Sequence, residues 1–265
     1  MIDYKNICTE TVDAIHETGN FIDSEYSGFD IGKAEAKGLN DFVSYVDKKA
    51  EEMLVERLGF ILPEAGFITE EGTSSKKGER YCWVIDPLDG TTNFLHGLRP
   101  FAVSVALMDG NEIVTGVVHE AGGNETFTSW KGGGAWLNNK TVHVSEAPSL
   151  SHSLIATGFP YYDFNRLDKF MQSLSHFCKT THGIRRLGSA AIDLAYVACG
   201  RFEAFYEYGL HRWDIAAGIL LVREAGGIVS DFSGNENNIS GNEIVAANRF
   251  VFPEFLENVS KFMLG

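Results

Sequence analysis

The sequence predicts an α/β fold whose N-terminal half is α+β and whose C-terminal half is α/β. Near the N-terminus, apolar residues recur every three to four positions, which indicates amphipathic helices. From Phe101 to Val144, strand-like runs are separated by glycine- and asparagine-containing turns, as in an antiparallel meander. Beyond about Glu146, strand-like and helix-like segments alternate, which is typical of α/β folds. We expect two halves, residues 1–145 and 146–265, with a tight interface because no long linker separates them.

Each element of the N-terminal half has its own signal in the sequence. Apolar positions at helical spacing mark the first two segments, and short apolar runs bounded by polar segments mark the strands. The predicted elements are helices at 3–22 and 41–58 with a loop at 24–40 between them, strands at 67–69, 81–85, 103–108 and 112–119, and a further strand pair around the turns at 132–134 and 138–139.

In the C-terminal half, the alternation of strands and helices continues to the end of the chain. The last helix begins at Pro253, and proline is favoured in the first turn of a helix. The predicted strands lie at 154–157, 183–187, 202–206 and near 228 and 244, and the predicted helices lie at 164–178, 190–199, 215–225 and 253–263.

The charge of the chain limits the classes of ligand. The 265 residues carry a net charge of −14 at pH 7, with a pI near 5.0. This disfavours DNA and RNA as ligands, because binding to phosphate backbones requires clustered Lys and Arg. An acidic protein can still bind a small anionic substrate if divalent cations reverse the local charge.

The cysteines and the apolar runs indicate a cytoplasmic protein. The four cysteines form no C-x-x-C pair, so neither a zinc knuckle nor a disulfide framework is predicted, and a reducing compartment fits. The first residues lack a basic region followed by an apolar one, and no apolar run approaches the ~20 residues of a membrane span. We expect neither export nor membrane insertion.

Carboxylates follow two predicted strands at the point where each strand ends. They are Asp86 and Asp89 after the run at 81–85, and Glu70 and Glu71 after the run at 67–69. Pro87 has no N–H group and Gly90 permits a bend, so this turn projects its acids beyond the sheet. If the two strands are neighbours, three or four carboxylates meet at one edge of the sheet.

Such a cluster favours hard cations. Carboxylates ~4 Å apart repel by on the order of 4 kcal/mol per pair at an effective dielectric constant near 20, and at least one pKa rises. Ligands that are all oxygen atoms favour Mg²⁺ over Zn²⁺. Asp214 precedes the apolar run at 215–222, which makes it a candidate helix N-cap and a further candidate ligand. We expect nearby His211 to support this site rather than to bind metal.

Several motifs together resemble the inositol monophosphatase family and occur in that family's order over nearly the whole chain. They are DFVSYVD at 41–47, EE at 70–71, WVIDPLDGTTNF at 83–94, GSAA at 188–191 and WDIAAG at 213–218. The departures are mild, since Ser44 replaces the more usual Thr and Gly72 stands where many relatives have Ser. The resemblance implies a layered αβαβα sandwich of the sugar-phosphatase type, with the site between two halves, and a lithium-sensitive, Mg²⁺-dependent phosphatase.

The resemblance also assigns metal ligands by motif position. It implies two to three Mg²⁺ ions: one held by Glu70, Asp86 and the Leu88 carbonyl, a second held by Asp86, Asp89 and Asp214, and a weaker third near Glu70. Lys37, or alternatively Lys33, matches loosely the basic residue that this family often places beside the third ion.

The implied catalytic residues are Thr91, Asp47 and Glu70. Thr91, hydrogen-bonded to Asp47, would orient and deprotonate the water that attacks phosphorus. The amides of Gly90 and Thr91 would hold phosphate oxygens, while Glu207 and the Ala190 amide would contact the alcohol part. The implied substrate contacts are Asp89, Gly90, Thr91, Gly188, Ser189, Ala190, Glu207 and Asp214.

The resemblance implies hydrolysis of a small phosphorylated polyol or sugar, with inositol monophosphate as the first choice, by a homodimer. Fructose 1,6-bisphosphate, histidinol phosphate, NADP and 3′-phosphonucleotides stay open as alternative substrates. Thr92 argues against the nucleotidase branch, which typically has Lys at this position. A different class of function is a mainly regulatory protein that binds metal without useful turnover. The pairing of Asp47 with Thr91 speaks against it, since a pure metal binder needs no residue that activates water.

Overall fold

The first helix shows how local sequence signals define the elements of this computed structural model. Helix α1, Tyr4–Tyr26, begins where the Asp3 carboxylate accepts hydrogen bonds from the Lys5 and Asn6 amides at 3.0 and 3.2 Å. Ile15 and Ile22, seven positions apart on one helix face, are fully buried. The structure describes residues 2–29, 32, 35–38, 41–236 and 242–265, with the backbone alone described for 35–38 and 41–43.

The described residues form seven helices and fourteen strands. The helices are α1 Tyr4–Tyr26, α2 Tyr45–Ile61, α3 Thr91–Leu95, α4 Leu167–Thr180, α5 Ala190–Ala198, α6 Arg212–Glu224 and α7 Phe252–Met263. The strands are β1 Glu35–Gly38, β2 Asp41–Val43, β3 Gly66–Thr69, β4 Tyr81–Asp89, β5 Ala102–Asp109, β6 Glu112–Glu120, β7 Glu125–Trp130, β8 Ala135–Leu137, β9 Lys140–Val142, β10 Leu154–Thr157, β11 Gly183–Arg185, β12 Ala204–Tyr208, β13 Ile228–Ser230 and β14 Glu243–Ala247.

Two large sheets organise the molecule. The first has the order β3-β4-β5-β6-β7-β8-β9, in which β3 and β4 are parallel and every other pair is antiparallel. The second has the order β11-β10-β12-β14-β13, in which β10 is parallel to both of its neighbours. The predicted meander is therefore confirmed. The predicted domain division at 145/146 falls between the last strand of the first sheet and the first strand of the second, and it remains a prediction.

The helices and sheets stack in five layers, which confirms the predicted αβαβα sandwich. Helices α1 and α2 pack against the outer face of the first sheet, α5 and α6 lie between the sheets, and α4 and α7 cover the second sheet. Strand β4 is buried on both faces, because Trp83 and Ile85 face the outer core while Val84 faces the central one. This explains why its sequence is a continuous apolar run. None of the described helices has the length and apolar character needed to cross a bilayer.

The predicted helix start near Asp41 is wrong, because residues 41–43 form β2, which pairs with β1. Helix α2 begins after Ser44, whose side chain accepts from the Val46 amide at 3.1 Å while Asp47 accepts from the Ser44 amide at 2.9 Å. This capping box fixes the helix start at Tyr45, four residues later than predicted. The predicted loop at 24–40 contains the last turn of α1 and all of β1. Lys33 and the side chain of Lys37, discussed above for a third ion, lie outside the described part of the structure.

Candidate active site

The two strand ends with carboxylates are neighbours. Strands β3 and β4 run parallel, with Thr69 opposite Ile85, so Glu70 and Asp86 follow at the same edge of the sheet. The Glu70 amide donates to the Ile85 carbonyl at 3.3 Å. Behind Glu70, the buried Glu51 of α2 accepts from the amides of residues 71 and 73 at 2.7 and 2.8 Å. This buried carboxylate fixes the loop after β3 and thereby the position of Glu70.

The turn after Asp86 is irregular, as its sequence suggests. The β4–β5 register shifts between Asp86 and Asp89, although the strand itself continues through Pro87. The Leu88 amide donates to the Asp86 carboxylate at 3.0 Å. Gly90 then has a φ of +95°, and a Cβ there would lie 3.2 Å from the Gly188 carbonyl oxygen. Glycine is required at this position both by its backbone conformation and by this close approach.

The structure brings Thr91 and Asp47 together, although they are 44 positions apart. The Thr91 hydroxyl lies 3.0 Å from an Asp47 carboxylate oxygen and 2.9 Å from the Leu88 carbonyl oxygen. Asp47 is 1% exposed, and its second oxygen accepts from the Ser44 hydroxyl at 2.6 Å. Burial raises the pKa of Asp47, while the hydrogen bonds from Ser44 and Thr91 act in the opposite direction. The pair has the geometry of a hydroxyl held by a buried proton acceptor.

Asp89 connects strand β4 of the first sheet to the start of helix α5. Its carboxylate accepts from the Ser189 hydroxyl and from the Ala191 amide, both at 2.7 Å. These groups lie at the start of α5, where Ser189 is also the N-cap. Burial raises the pKa of Asp89 to about 6, and the same two hydrogen bonds limit the rise.

The sequence suggested that Asp214 is the N-cap of α6, and this prediction is wrong. The N-cap is His211, and Asp214 is the third residue of the helix, where its carboxylate accepts from the His211 amide at 2.6 Å. Asp is favoured at the third position of a helix because its carboxylate can accept from the N-cap amide, as in a capping box. Asp214 therefore does mark the start of α6, but the N-cap lies three residues before it. The His211 ring stacks on Trp213 at 4.7 Å and lies 3.0 Å from the Tyr162 hydroxyl.

The carboxyl groups of Glu70, Asp86 and Asp214 form one cluster. Both Glu70 and Asp214 hydrogen-bond to the buried Asp86. Burial raises the pKa of Asp86 well above its usual range, and the charges of Glu70, Asp89 and Asp214 raise it further. Burial also raises the pKa of Asp214, with Asp89 as the next cause. Four acids thus influence one another at a single point, as expected from their placement at the sheet edge.

This donor set fits a hard divalent cation. It consists of oxygen atoms alone, four carboxylates and the Leu88 carbonyl, and the repulsion among the acids is the penalty that a cation removes. Among the described residues, no group of three or more His, Cys, Asp or Glu side chains is already arranged to hold a metal ion. Because burial and mutual repulsion raise the pKa values of Asp86 and Asp214, a cation would bind here in competition with protons.

These residues line one cleft of about 260 Å³ between the two halves. Of the predicted site residues, every one except the buried Asp47 contributes to its wall. The lining residues predicted from the sequence are Glu70, Asp86, Leu88, Asp89, Gly90, Thr91, Gly188, Ser189, Ala190, Glu207 and Asp214. Burial raises the pKa of Glu207 to about 8, against an opposing effect of Arg186.

Other residues of the cleft were not found by sequence reasoning. Arg186 lines it together with Tyr161 and Tyr162. Gly158 packs so closely against Glu207 that a Cβ would lie 1.9 Å from its carboxylate. Arg186 lies two residues before the GSAA motif, which is the one signal that could have pointed to it. Gly158 and the tyrosines belong to no motif in the chain.

Comparisons with known proteins identify the family. The profile of the inositol monophosphatase family matches residues 3–263. The inositol-1-monophosphatase of Mesorhizobium japonicum is 39% identical over 251 residues, which cover 94% of each chain. The Nus factor SuhB of Escherichia coli is 43% identical over 249 residues, which cover 94% of this chain and 93% of that protein. The crystal structure of the extragenic suppressor protein suhB from Bartonella henselae matches with a TM-score of 0.90 and 37% identity, covering 96% of this chain and 98% of that one.

Proposed function

Because this chain belongs to the inositol monophosphatase family, we propose that it is a Mg²⁺-dependent phosphomonoesterase that hydrolyses inositol monophosphate to inositol and phosphate. The observation that carries the proposal is that Thr91 lines the same cleft as the carboxylates of Asp86 and Asp89 and contacts the buried Asp47 behind it. A cluster of acids alone would suit any cation-binding protein. The buried acceptor behind a hydroxyl adds the means to move a proton.

The metal ligands we propose are Glu70, Asp86, the Leu88 carbonyl, Asp89 and Asp214, with two to three Mg²⁺ ions in total. When bound, Mg²⁺ supplies positive charge that polarises the phosphoryl group, acidifies water and stabilises the leaving oxygen. Without that charge, the acidic cleft would repel a phosphate dianion. Glu70 approaches from β3 and Asp214 from α6, so the ligand set depends on both halves.

Thr91 and Asp47 provide the proton transfer. The Thr91 hydroxyl accepts a proton from the attacking water while its own proton passes to Asp47, whose burial favours the protonated form. The water oxygen bonds to phosphorus in line with the alcohol oxygen, and the bond from phosphorus to that oxygen breaks. The departing alkoxide takes a proton from a solvent water, and Asp47 returns its proton to solvent when the products leave. Asp47 stays in place because Ser44 holds its other oxygen.

The rest of the cleft positions the substrate. We assign the phosphate to the amides of Gly90 and Thr91, and the polyol to Glu207 and the Ala190 amide. Gly188, Ser189, Asp89 and Asp214 complete the contact surface. A raised pKa keeps a fraction of Glu207 protonated near neutral pH, so this carboxyl group can donate to a hydroxyl oxygen as well as accept.

Replacement of Asp89 by Asn tests the proposal. An Asn oxygen can still accept from Ser189 and Ala191, so Asp89→Asn should fold, while phosphate release falls by about 10² or more because a charged ligand is lost. The control is Asp13→Asn, a change of equal charge at an exposed position of α1 outside the cleft, which should leave the rate unchanged. Equal rates for Asp89→Asn and the unmodified protein would refute the assignment.

The choice of substrate is tested by a panel. Released phosphate should be measured with inositol 1-phosphate, fructose 1,6-bisphosphate, histidinol phosphate, NADP and a 3′-phosphonucleotide. We expect the highest kcat/KM with inositol 1-phosphate, and preference for a nucleotide would overturn this choice. Inhibition by lithium, a homodimer and a cytoplasmic location are further proposals that come from the family resemblance.

A second candidate function is a regulatory role through a protein partner. The observation that favours it is the 43% identity to a relative named a Nus factor. If regulation were the main role, purified protein with Mg²⁺ should release phosphate from every ester in the panel no faster than Asp89→Asn does. The Thr91–Asp47 pair favours catalysis, because binding a partner does not require it.

A further inference from the structure

One positively charged side chain lies in the acidic wall of the cleft. Among the described residues that line it, Arg186 is the only Arg or Lys, and the same cleft is lined by five carboxylates: Glu70, Asp86, Asp89, Glu207 and Asp214. It follows β11 directly and precedes Gly188, so it lies on the C-terminal half, with Glu207 rather than with Glu70. The proposed mechanism assigns it no role.

The guanidinium is held in place by aromatic side chains. One of its terminal nitrogens donates to the Tyr161 hydroxyl, and the group lies over the rings of Tyr161 and Phe159 at 5.4 and 5.6 Å. Gly188 leaves room for it, since a Cβ at that position would lie 2.5 Å from the Arg186 Nη1 atom. The position of this charge is therefore fixed before any ligand binds.

Part of its hydrogen-bonding capacity is unused. The Nε–H group of Arg186 is buried and has no partner in the described structure, and the ion pairs of the described residues do not include this arginine. A buried donor without an acceptor is unfavourable, and a guanidinium is best satisfied by a planar or tetrahedral oxyanion. The charge of Arg186 acts on the carboxylates of Glu207 and Asp89, but among the described residues it donates a hydrogen bond to neither of them, so the Nε–H group is left for a ligand.

We propose that Arg186 is a specificity-determining residue that binds a second anionic group, phosphate or carboxylate, on the alcohol part of the substrate. This inference rests on the proposed function in that the scissile phosphate occupies the carboxylate end of the cleft. The second anion then lies beside Glu207, at the end where the alcohol is placed. Among phosphomonoesters built on the same ring, those with an additional acidic group make this contact, whereas a neutral polyol phosphate such as inositol 1-phosphate uses the cleft without it.

A matched set of ligands tests the proposal. Glucose 1-phosphate, glucose 1,6-bisphosphate and glucuronic acid 1-phosphate share one ring and differ in whether C6 carries a hydroxyl, a phosphate or a carboxylate. Binding should be measured by calorimetry with Mg²⁺ in Thr91→Val, where turnover is suppressed, and in Thr91→Val/Arg186→Gln. We expect the phosphate or the carboxylate at C6 to lower Kd by about 10- to 100-fold in the first protein and by less than about threefold in the second.

The neighbouring residue supplies the control. Arg185 is exposed and donates to a backbone carbonyl at 3.0 Å, so Arg185→Gln removes the same charge without changing the cleft. This variant should keep the full gain in affinity that the phosphate or carboxylate at C6 provides. In the otherwise unmodified protein, Arg186→Gln should lower kcat/KM for the bisphosphate about 10- to 100-fold more than for glucose 1-phosphate. Arg186→Lys should restore only part of this discrimination, because Lys lacks the planar fork.

The outcomes separate this inference from the proposed function. The inference is overturned if the phosphate or carboxylate at C6 lowers Kd equally with and without Arg186. It is also overturned if this group lowers Kd in none of the proteins. An equal loss of affinity for all three ligands together with a lower unfolding midpoint would also overturn it, in favour of a structural role. If no ester is hydrolysed but the gain in binding depends on Arg186, the proposed function fails and the anion subsite stands.

Discussion

At the residue scale, the hydroxyl of Thr91 links the buried Asp47 to the cleft. Its two contacts, with Asp47 at 3.0 Å and with the Leu88 carbonyl at 2.9 Å, compete for a single proton. In one arrangement the proton points to Asp47 and the oxygen lone pairs are available to water. The geometry of the pair, rather than the presence of a threonine in a turn, favours a role in proton transfer.

Thr91→Val tests this role, because Val has nearly the same shape but no hydroxyl. We expect kcat for inositol 1-phosphate to fall by about 10² to 10⁴, the range typical of a lost acid or base, with KM changed little. Thr91→Ser keeps the hydroxyl and should retain activity within about tenfold of the unmodified protein. A Val variant as active as the Ser variant would show that the hydroxyl takes no part in the reaction.

Gly158 contributes to the site because it has no side chain and so leaves space for Glu207. Its φ is not in the left-handed region, yet a Cβ would lie 1.9 to 2.2 Å from atoms of the Glu207 carboxyl group. Gly158→Ala must therefore displace Glu207. We expect kcat/KM for inositol 1-phosphate to fall by about 10- to 100-fold, mainly through KM.

The matched control for Gly158 is Gly28→Ala. A Cβ at Gly28 meets no atom within 4 Å, so neither kcat nor KM should change. If Gly158→Ala also leaves KM unchanged, Glu207 does not contact the substrate, and its assignment fails.

At the element scale, α1 packs on the first sheet through a histidine pair. A Cβ at Gly19 of α1 would lie 2.5 Å from the His119 ring of β6, so helix and strand approach closely here. The Thr126 hydroxyl of β7 lies 3.0 Å from His119 Nδ1 and 2.8 Å from His16 Nε2. Burial lowers the pKa of His119 to about 4, and the charge of His16 adds to this effect.

This lowered pKa predicts acid sensitivity of the fold. Below pH 6.5 the unfolded chain takes up a proton on this histidine, while the folded protein does so only near pH 4. The contribution of His119 to the free energy of unfolding is therefore fully present above pH 6.5 and declines as the pH falls toward 4. The loss should be on the order of 3 kcal/mol at pH 4. Urea unfolding at pH 7 and pH 4.5 should show a smaller difference for His119→Gln than for the unmodified protein.

His143→Gln is the control for this pH dependence, because His143 is exposed on the surface. The control should keep the pH dependence of the unmodified protein. If His119→Gln also keeps it, other groups cause the acid sensitivity, and the buried histidine is not responsible.

At the scale of the whole molecule, the proposed metal ligands come from the first sheet and from a central helix between the two sheets. Asp89 of β4 accepts from the start of α5, and Asp214 on α6 hydrogen-bonds to Asp86 of β4. On the proposed assignment, a cation bound here would link strand β4 to helix α6 and replace repulsion among the acids by attraction. We therefore expect folding and metal binding to be coupled.

We expect Mg²⁺ to raise the unfolding midpoint of the whole molecule. At about 100 times its Kd, the ion should stabilise the fold by about 3 kcal/mol per site, with a single transition seen both by far-UV circular dichroism and by tryptophan fluorescence. Asp89→Asn should lose most of this gain, whereas Asp13→Asn should keep it. A midpoint that does not respond to Mg²⁺ would argue that the carboxylates do not bind the ion.

The sequence by itself determined the types and the order of nearly all the elements and the turn that follows β4. It also marked the carboxylates at two strand ends, because periodicity, strand ends and turn residues are local properties. It misplaced the start of α2 by four residues and the cap of α6 by three, since capping is decided by side-chain geometry. Only the tertiary structure decided what lies opposite these acids. Asp89 meets Ser189 across 100 positions, Gly158 makes room for Glu207, and Arg186 enters the cleft with a donor unpaired. Such contacts depend on how two sheets pack on α5 and α6, and no local pattern in the chain records that packing.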